Sequence, residues 1–168
     1  MLGNNYAFID GQNMYKNIRK QGWKIDYTRF KKYLEDKYNV EKVYIFFGYM
    51  EENKRLYDFL EKTGYCVLFK KISRDDEGNI KGNCDSDLIF RIGMEFWNFN
   101  KAVIVSGDGD FFGAVEILHE LDKLAAVMSP DRNSCSEQYF ILKKDNELIF
   151  MDTLKNKISL NENTHKNL

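Results

Sequence analysis

Residues 101–112 read KAVIVSGDGDFF, and this stretch decides the fold. Ala102-Val103-Ile104-Val105 is a short β-branched apolar run, the pattern of a strand buried on both faces of a parallel sheet. The run stops at Ser106-Gly107-Asp108-Gly109-Asp110, after which Phe112, Val115, Leu118 and Leu121 are spaced to form one apolar helix face. The order is strand, polar turn, helix, with the turn at the carboxyl end of the strand, where open α/β sheets place their ligands. One Asp would suffice to cap the helix. A second carboxylate, set between glycines that let the backbone turn sharply, points to a cation, because neighbouring carboxylates repel unless a proton or a positive ion lies between them.

Working outward, the same grammar recurs at the start of the chain. Residues 6–10, YAFID, form a first strand ended by Asp10 and Gly11, and Gln12 and Asn13 lead into the helix MYKNIRK, which Asn13 could cap. Asp26 is a candidate cap for a second helix striped by Tyr27, Phe30, Leu34 and Tyr38. Residues 42–48, KVYIFFG, give a second buried strand, followed by a helix over about 51–62 with Leu56, Phe59 and Leu60 on one face. A third strand, YCVLF at 65–69, precedes a charged segment, 71–83, that reads as a loop or a β-hairpin arm. Residues 81–87, KGNCDSD, open a helix expected to run to about Phe99. There Asp85 lies on the stripe of Leu88, Ile89 and Ile92, whereas Asp87 lies four residues before Arg91 on the polar face, a helical ion-pair spacing. An acid facing a core side is costly unless it meets a cation, a donor or solvent. Asp85 therefore ranks above Asp87. After the central strand and helix come LAAVM at 124–128, a short helix at 136–143, and an edge strand at 148–150.

Strands alternating with helices specify an α/β fold: a three-layer α/β/α sandwich on a mainly parallel sheet of five to six strands. Residues 1–152 are expected to form one domain, and the polar, Asn/Lys-rich segment 153–168 a loosely held tail. For Asp10, Asp85 and Asp108 to converge, the first and fourth strands must be adjacent.

The 168 residues carry 25 basic and 26 acidic side chains, for a net charge of −1, so any nucleic-acid contact must come from a local basic patch. Two runs qualify, Lys16, Arg19, Lys20 and Lys24, and Lys70, Lys71, Arg74 and Lys81, although a solvated surface explains either. Three dispersed cysteines and two histidines argue against a disulfide framework and against zinc. No apolar run long enough to span a bilayer and no signal peptide are visible, so a cytoplasmic location without membrane attachment is expected.

The assembled pieces, FIDGQN at 8–13, KGNCDSDLI at 81–89 and SGDGDF at 106–111, resemble the NYN family, the LabA-like branch of the PIN-like nuclease superfamily, over roughly residues 5–150. The resemblance implies strand order 3-2-1-4-5, an acidic cluster binding Mg²⁺ or Mn²⁺ at the carboxyl edge, and hydrolysis of RNA phosphodiesters. Asp10, Asp85, Asp108 and Asp110 match the acidic motif as metal-binding and catalytic residues. Asn13 and Ser106 match its polar companions, and Asp87 is carried as a supporting residue. Glu51 and Glu52 fall where PIN domains carry a further acid but match no motif.

Carboxylates suit hard cations, and a metal among them would activate water for attack on phosphorus. Lys81, Lys16 and Arg19 are candidates to line the approach of the phosphate backbone, and Trp23 to stack on an unpaired base. The expected partner is RNA, single-stranded, with a homodimer left open and no nucleotide cofactor. Position 12 is Gln, not the second Asp of a haloacid-dehalogenase phosphatase, and neither GK[ST] nor GxGxxG occurs. The alternatives are a catalytically weak or inactive module that binds RNA or a protein, and a DNA-directed nuclease of the same superfamily.

Overall fold

The computed structural model describes residues 4–70, 73–74, 80–81 and 85–160, with residues 73–74, 80–81 and 85 described by backbone alone. The first strand, β1 (Asn5–Asp10), leads directly into α1 (Gly11–Lys20), capped by Asp10 Oδ1, which accepts from Asn13 N at 3.1 Å. Asn13 therefore does not cap this helix. Helix α2 (Tyr27–Tyr38) is capped by Asp26 as expected and ends at Asn39, whose φ of 52° is the left-handed conformation of a helix stop. Next come β2 (Val40–Gly48), a 3-10 turn over Glu51–Asn53, α3 (Lys54–Lys62) and β3 (Tyr65–Lys70). The charged arm contains an antiparallel pair, β4 (Ser73–Arg74) with β5 (Ile80–Lys81), so the hairpin reading holds. The chain then forms α4 (Asp85–Glu95), β6 (Ala102–Val105), a 3-10 turn over Gly109–Phe111, α5 (Phe112–Glu120) and β7 (Leu124–Ser129). It finishes with a 3-10 segment over Glu137–Asp145, β8 (Leu148–Phe150), a 3-10 turn over Met151–Leu154 and α6 (Lys155–Ile158).

The main sheet runs β3-β2-β1-β6-β7-β8 with every neighbouring pair parallel. Counted without the hairpin, this is the order 3-2-1-4-5 with a sixth strand at the edge. Strand alternation divides the core. Ala7, Ile9, Val43 and Ile45 face α1, α2, α3 and α6, and Phe8, Tyr44, Phe46 and Ile104 face α4, α5 and the 3-10 segment.

Three details differ from the sequence reading. In α5 the inward stripe is Phe111, Val115 and Leu118, while Leu121 is 56% exposed. The helix is entered through a 3-10 turn, whose tighter period brings Phe111 rather than Phe112 inward. In α3, Tyr57 takes the inward place expected of Phe59, its hydroxyl donating to the Gly48 carbonyl at 3.3 Å. Helix α4 stops at Glu95, where the Asn98 amide folds back onto the Glu95 carboxylate at 2.8 Å.

Residues 153–160, expected to be loosely held, are docked. Leu154 and Ile158 are buried in the core, Asp26 N donates to Ile158 O at 2.8 Å, and Ser159 bridges to Ile25. Two apolar side chains four residues apart are enough to anchor a short amphipathic turn, even in a polar segment. Residues 161–168 lie outside the described residues. Truncating Ile158 to Ala should cost about 2–5 kcal/mol in equilibrium unfolding, a value typical of a buried Ile; an unchanged melt would mean that the segment does not contribute to the core. Gly11→Ala should also destabilise, by about 1–3 kcal/mol. Its Cβ would meet the Phe47 ring at 2.5 Å and the Phe46 carbonyl oxygen at 2.8 Å, and calorimetry of the variant reads the effect.

Candidate metal centre

The parallel register of β1 on β6 pairs Ile9 with Val105, so Asp10 and Ser106 leave the sheet side by side. This is the adjacency that convergence required. Asp10 is only 5% exposed. It lies on the face shared by Tyr6 and Phe8, the side covered by α4. The turn that follows β6 is built from its own side chains. Ser106, fully buried, accepts from Asp108 N at 3.1 Å, and Asp108 Oδ1 accepts from Asp110 N at 3.1 Å, capping the 3-10 turn. Tyr139, also buried, donates its hydroxyl to the Asp108 carbonyl at 2.6 Å. Asp108 is half-buried and Asp110 exposed.

Asn13 joins the two acidic turns. Its backbone N–H binds Asp10, and its side-chain oxygen accepts from Gly107 N at 3.3 Å across 94 residues of sequence. Gly107 must be small, because a Cβ there would lie 2.7 Å from Ser129 Oγ. At Gly109 a Cβ would lie 2.7 Å from Ser136 Oγ and 3.0 Å from Gln138 Oε1. The 3-10 segment after β7 therefore presses directly on the acidic turn. Nearby Cys135 is a neutral packing thiol, its pKa pushed up by burial.

Asp85 begins α4, which packs over β1 and the Gly109–Phe111 turn, so its backbone is placed above the same rim. Its side chain, that of Lys81, and residues 82–84 lie outside the described residues. Among the described residues, no group of three or more Asp, Glu, His or Cys side chains forms a cluster that could hold a metal. The chemistry of those that are placed nevertheless suits a hard cation. A buried carboxylate on Asp10 and a half-buried one on Asp108 each use Oδ1 to cap the helical segment that follows, which among the described residues leaves Oδ2 for another ligand.

The structure adds one residue that sequence reasoning had grouped with solvated lysines. Lys70, the last residue of β3, has a side chain only 3% exposed, and its Nζ lies 3.6 Å from Asp10 Oδ1. That Nζ is buried without a hydrogen-bond partner among the described residues. The signal available in the sequence was its position: it closes the run YCVLFK at the same edge of the sheet as Asp10.

Other expectations fare unevenly. Asp87 is exposed, and Arg91 turns away from it to Glu95 at 3.6 Å. The Tyr44 hydroxyl, then the Asn98 amide, hold the Glu95 carboxyl below its usual range. Trp23 is buried and bonds Gln21, so it is a packing residue. Lys16 and Arg19 line a groove of about 640 Å³ together with Gln12, Lys20, Phe47 and Tyr57, starting two residues from Asp10.

Comparison with known proteins agrees with this architecture. The crystal structure of a protein of unknown function from Vibrio parahaemolyticus superposes with a TM-score of 0.76 at 20% identity, covering 94% of this chain and 96% of that one. The low amplitude and bright protein LabA of Synechococcus elongatus is 29% identical over 134 residues, 74% of this chain and 72% of the relative. The family model of the NYN domain matches residues 6–151. The fold, the two acidic turns and that match together establish that the chain belongs to the NYN domain family, a PIN-like family whose members are generally nucleases and generally use divalent metals.

Proposed function

We propose that this protein is a divalent-metal-dependent ribonuclease that hydrolyses phosphodiester bonds of single-stranded RNA. The observation that carries the reading is the junction of the two acidic turns, with Asp10 buried at the tip of β1 and tied through Asn13 to the turn bearing Asp108 and Asp110. A carboxylate held away from water at a sheet edge needs donors or a cation to offset the cost.

In this reading Asp10, Asp85 and Asp108 would hold Mg²⁺ or Mn²⁺, and Asp110, the most exposed of the Asp108–Asp110 pair, would orient the attacking water. When bound, the ion supplies Lewis acidity, activating water and stabilising the leaving oxygen. The chain's own groups do the positioning. Ser106 and Tyr139 fix the backbone of Asp108 from either side, and Asn13 holds the two turns in register. Lys16, Arg19 and Lys20 along α1 would receive phosphates entering through the groove, and Lys81 would do so from the hairpin arm. Tyr15 and Met50, exposed at the groove, offer apolar surface to a base. A second reading has one observation in its favour. The Lys70 ammonium already offsets the charge of Asp10, as a module that binds RNA or a protein without cleaving would require.

Cleavage of end-labelled single-stranded RNA in Mn²⁺ separates the two. The wild type should cut, and Asp10→Asn and Asp108→Asn should each lose at least about 100-fold in rate, the scale of removing one preorganised charge-stabilising group. If wild type and both variants behave alike, the catalytic assignment is wrong and the binding module stands. A parallel reaction on single-stranded DNA should be much slower; equal rates would make the enzyme DNA-directed. Asn13→Ala should cost about 1–3 kcal/mol by leaving the buried Gly107 N–H without its acceptor. The same variant should also slow cleavage, since the two turns are then no longer tied.

A further inference from the structure

The lysine buried against Asp10 has no role in the catalytic assignment above. Register explains how it gets there. Gly48 of β2 pairs with Lys70, and Phe46 of β2 pairs with Asp10. Lys70 shares its sheet face with Cys66 and Leu68, the face on which Asp10 also lies. With no side chain on Gly48 to stand between them, the four-carbon stem of Lys70 crosses β2 toward β1. Its ammonium ends 3.6 Å from Asp10 Oδ1, too far for a hydrogen bond but close enough for a strong charge interaction away from water. Burying an ammonium costs several kcal/mol, and among the described residues this one makes no hydrogen bond to offset it, so a merely structural lysine would be better replaced by an apolar residue.

We propose that Lys70 is a positioning residue that acts through Asp10, occupying the place of a second cation so that the centre accepts a single divalent ion, on the side facing Asp108. Two-metal centres hold their ions about 4 Å apart, bridged by a shared carboxylate. Here Asp10 Oδ1 already accepts from Asn13 N at 3.1 Å and faces Lys70, so among the described residues Oδ2 is the oxygen better placed to take an ion. A divalent ion brought to the Lys70 side would meet a fixed positive charge in a water-poor site. The ammonium also offsets the charge of Asp10 before any ion arrives, which keeps the carboxylate aimed. The inference rests on the metal-dependent reading for its ion count.

The test uses the full chain and Mn²⁺ alone, with bound ion counted by electron paramagnetic resonance and stability followed by thermal melting with and without the ion. Wild type and Lys70→Arg should bind one Mn²⁺. Lys70→Met should bind two, or bind the first at least about 10-fold more tightly, and its melting temperature should rise more on Mn²⁺ addition than that of the wild type, because the ion replaces the missing charge. Should Lys70→Met fail to fold, recovery of the fold in Asp10→Asn/Lys70→Met supports the pairing, and no recovery overturns it. Two ions in the wild type, or a Lys70→Met variant with unchanged count, affinity and melting increment, would overturn the inference while leaving the nuclease reading in place. Absence of Mn²⁺ binding in every variant would sink both.

Discussion

The parallel pairing of β1 with β6 is the constraint from which the rest of this structure follows. Each strand is an apolar run buried on both faces, and each ends abruptly in an acid-bearing turn. Parallel strands end at the same edge, so a single register, Ile9 beside Val105, is enough to bring two acidic turns together from opposite halves of the chain. The sheet order reverses direction here, with β2 and β3 laid to one side of β1 and β7 and β8 to the other side of β6. At such a switch point the connecting helices diverge and leave a crevice. The Asn13–Gly107 hydrogen bond then fixes the distance across that crevice, which register alone leaves loose.

Burying charge at this edge does not maximise stability. A buried ion pair often contributes less than an apolar pair of similar volume, and among the described residues the Lys70 ammonium, 3.6 Å from Asp10, makes no hydrogen bond that would offset its desolvation. Stability comes instead from the two apolar layers, packed on helices that need no help from the rim. The rim can therefore carry unfavourable electrostatics. Local disagreement between charge placement and packing, within a fold that is consistent elsewhere, is what a site adapted to bind a cation or a phosphate looks like.

Most of this architecture was legible in the sequence because it depends on local pattern. Short β-branched runs, a polar stop and a 3.6-residue stripe name each strand–turn–helix unit, and alternation of the units names the layers. What was not legible depended on partners distant in sequence or on helix type. A 3-10 turn over Gly109–Phe111 rotated the α5 stripe onto Phe111, which period counting for an ideal α-helix cannot foresee. Asn13 looks like a helix cap, but the acid three residues earlier took that role and freed its amide for the neighbouring turn. Lys70 sat within a basic run, and only the register of β3 on β2 shows that it points across a glycine into the acidic edge. Leu154 and Ile158 were hidden by the polar residues around them.

A net charge of −1 does not conflict with an RNA substrate once the charges are placed. Helix α1 rises about 1.5 Å per residue from its cap at Asp10, so Lys16, Arg19 and Lys20 are set at roughly 9, 13 and 15 Å from the acidic edge along one groove. The cations lie along its wall, which begins at Gln12, two residues after Asp10. A phosphate chain drawn to the wall by charge would meet repulsion on reaching the acidic edge of the sheet unless a cation were already there. Affinity for the polyanion and tolerance of its arrival at the carboxylates are thus separate tasks. In the proposed reading the first falls to exposed residues of α1. At least part of the second would fall to Lys70, the one buried lysine among the described residues, whose stem lies where a glycine in the neighbouring strand makes room for it.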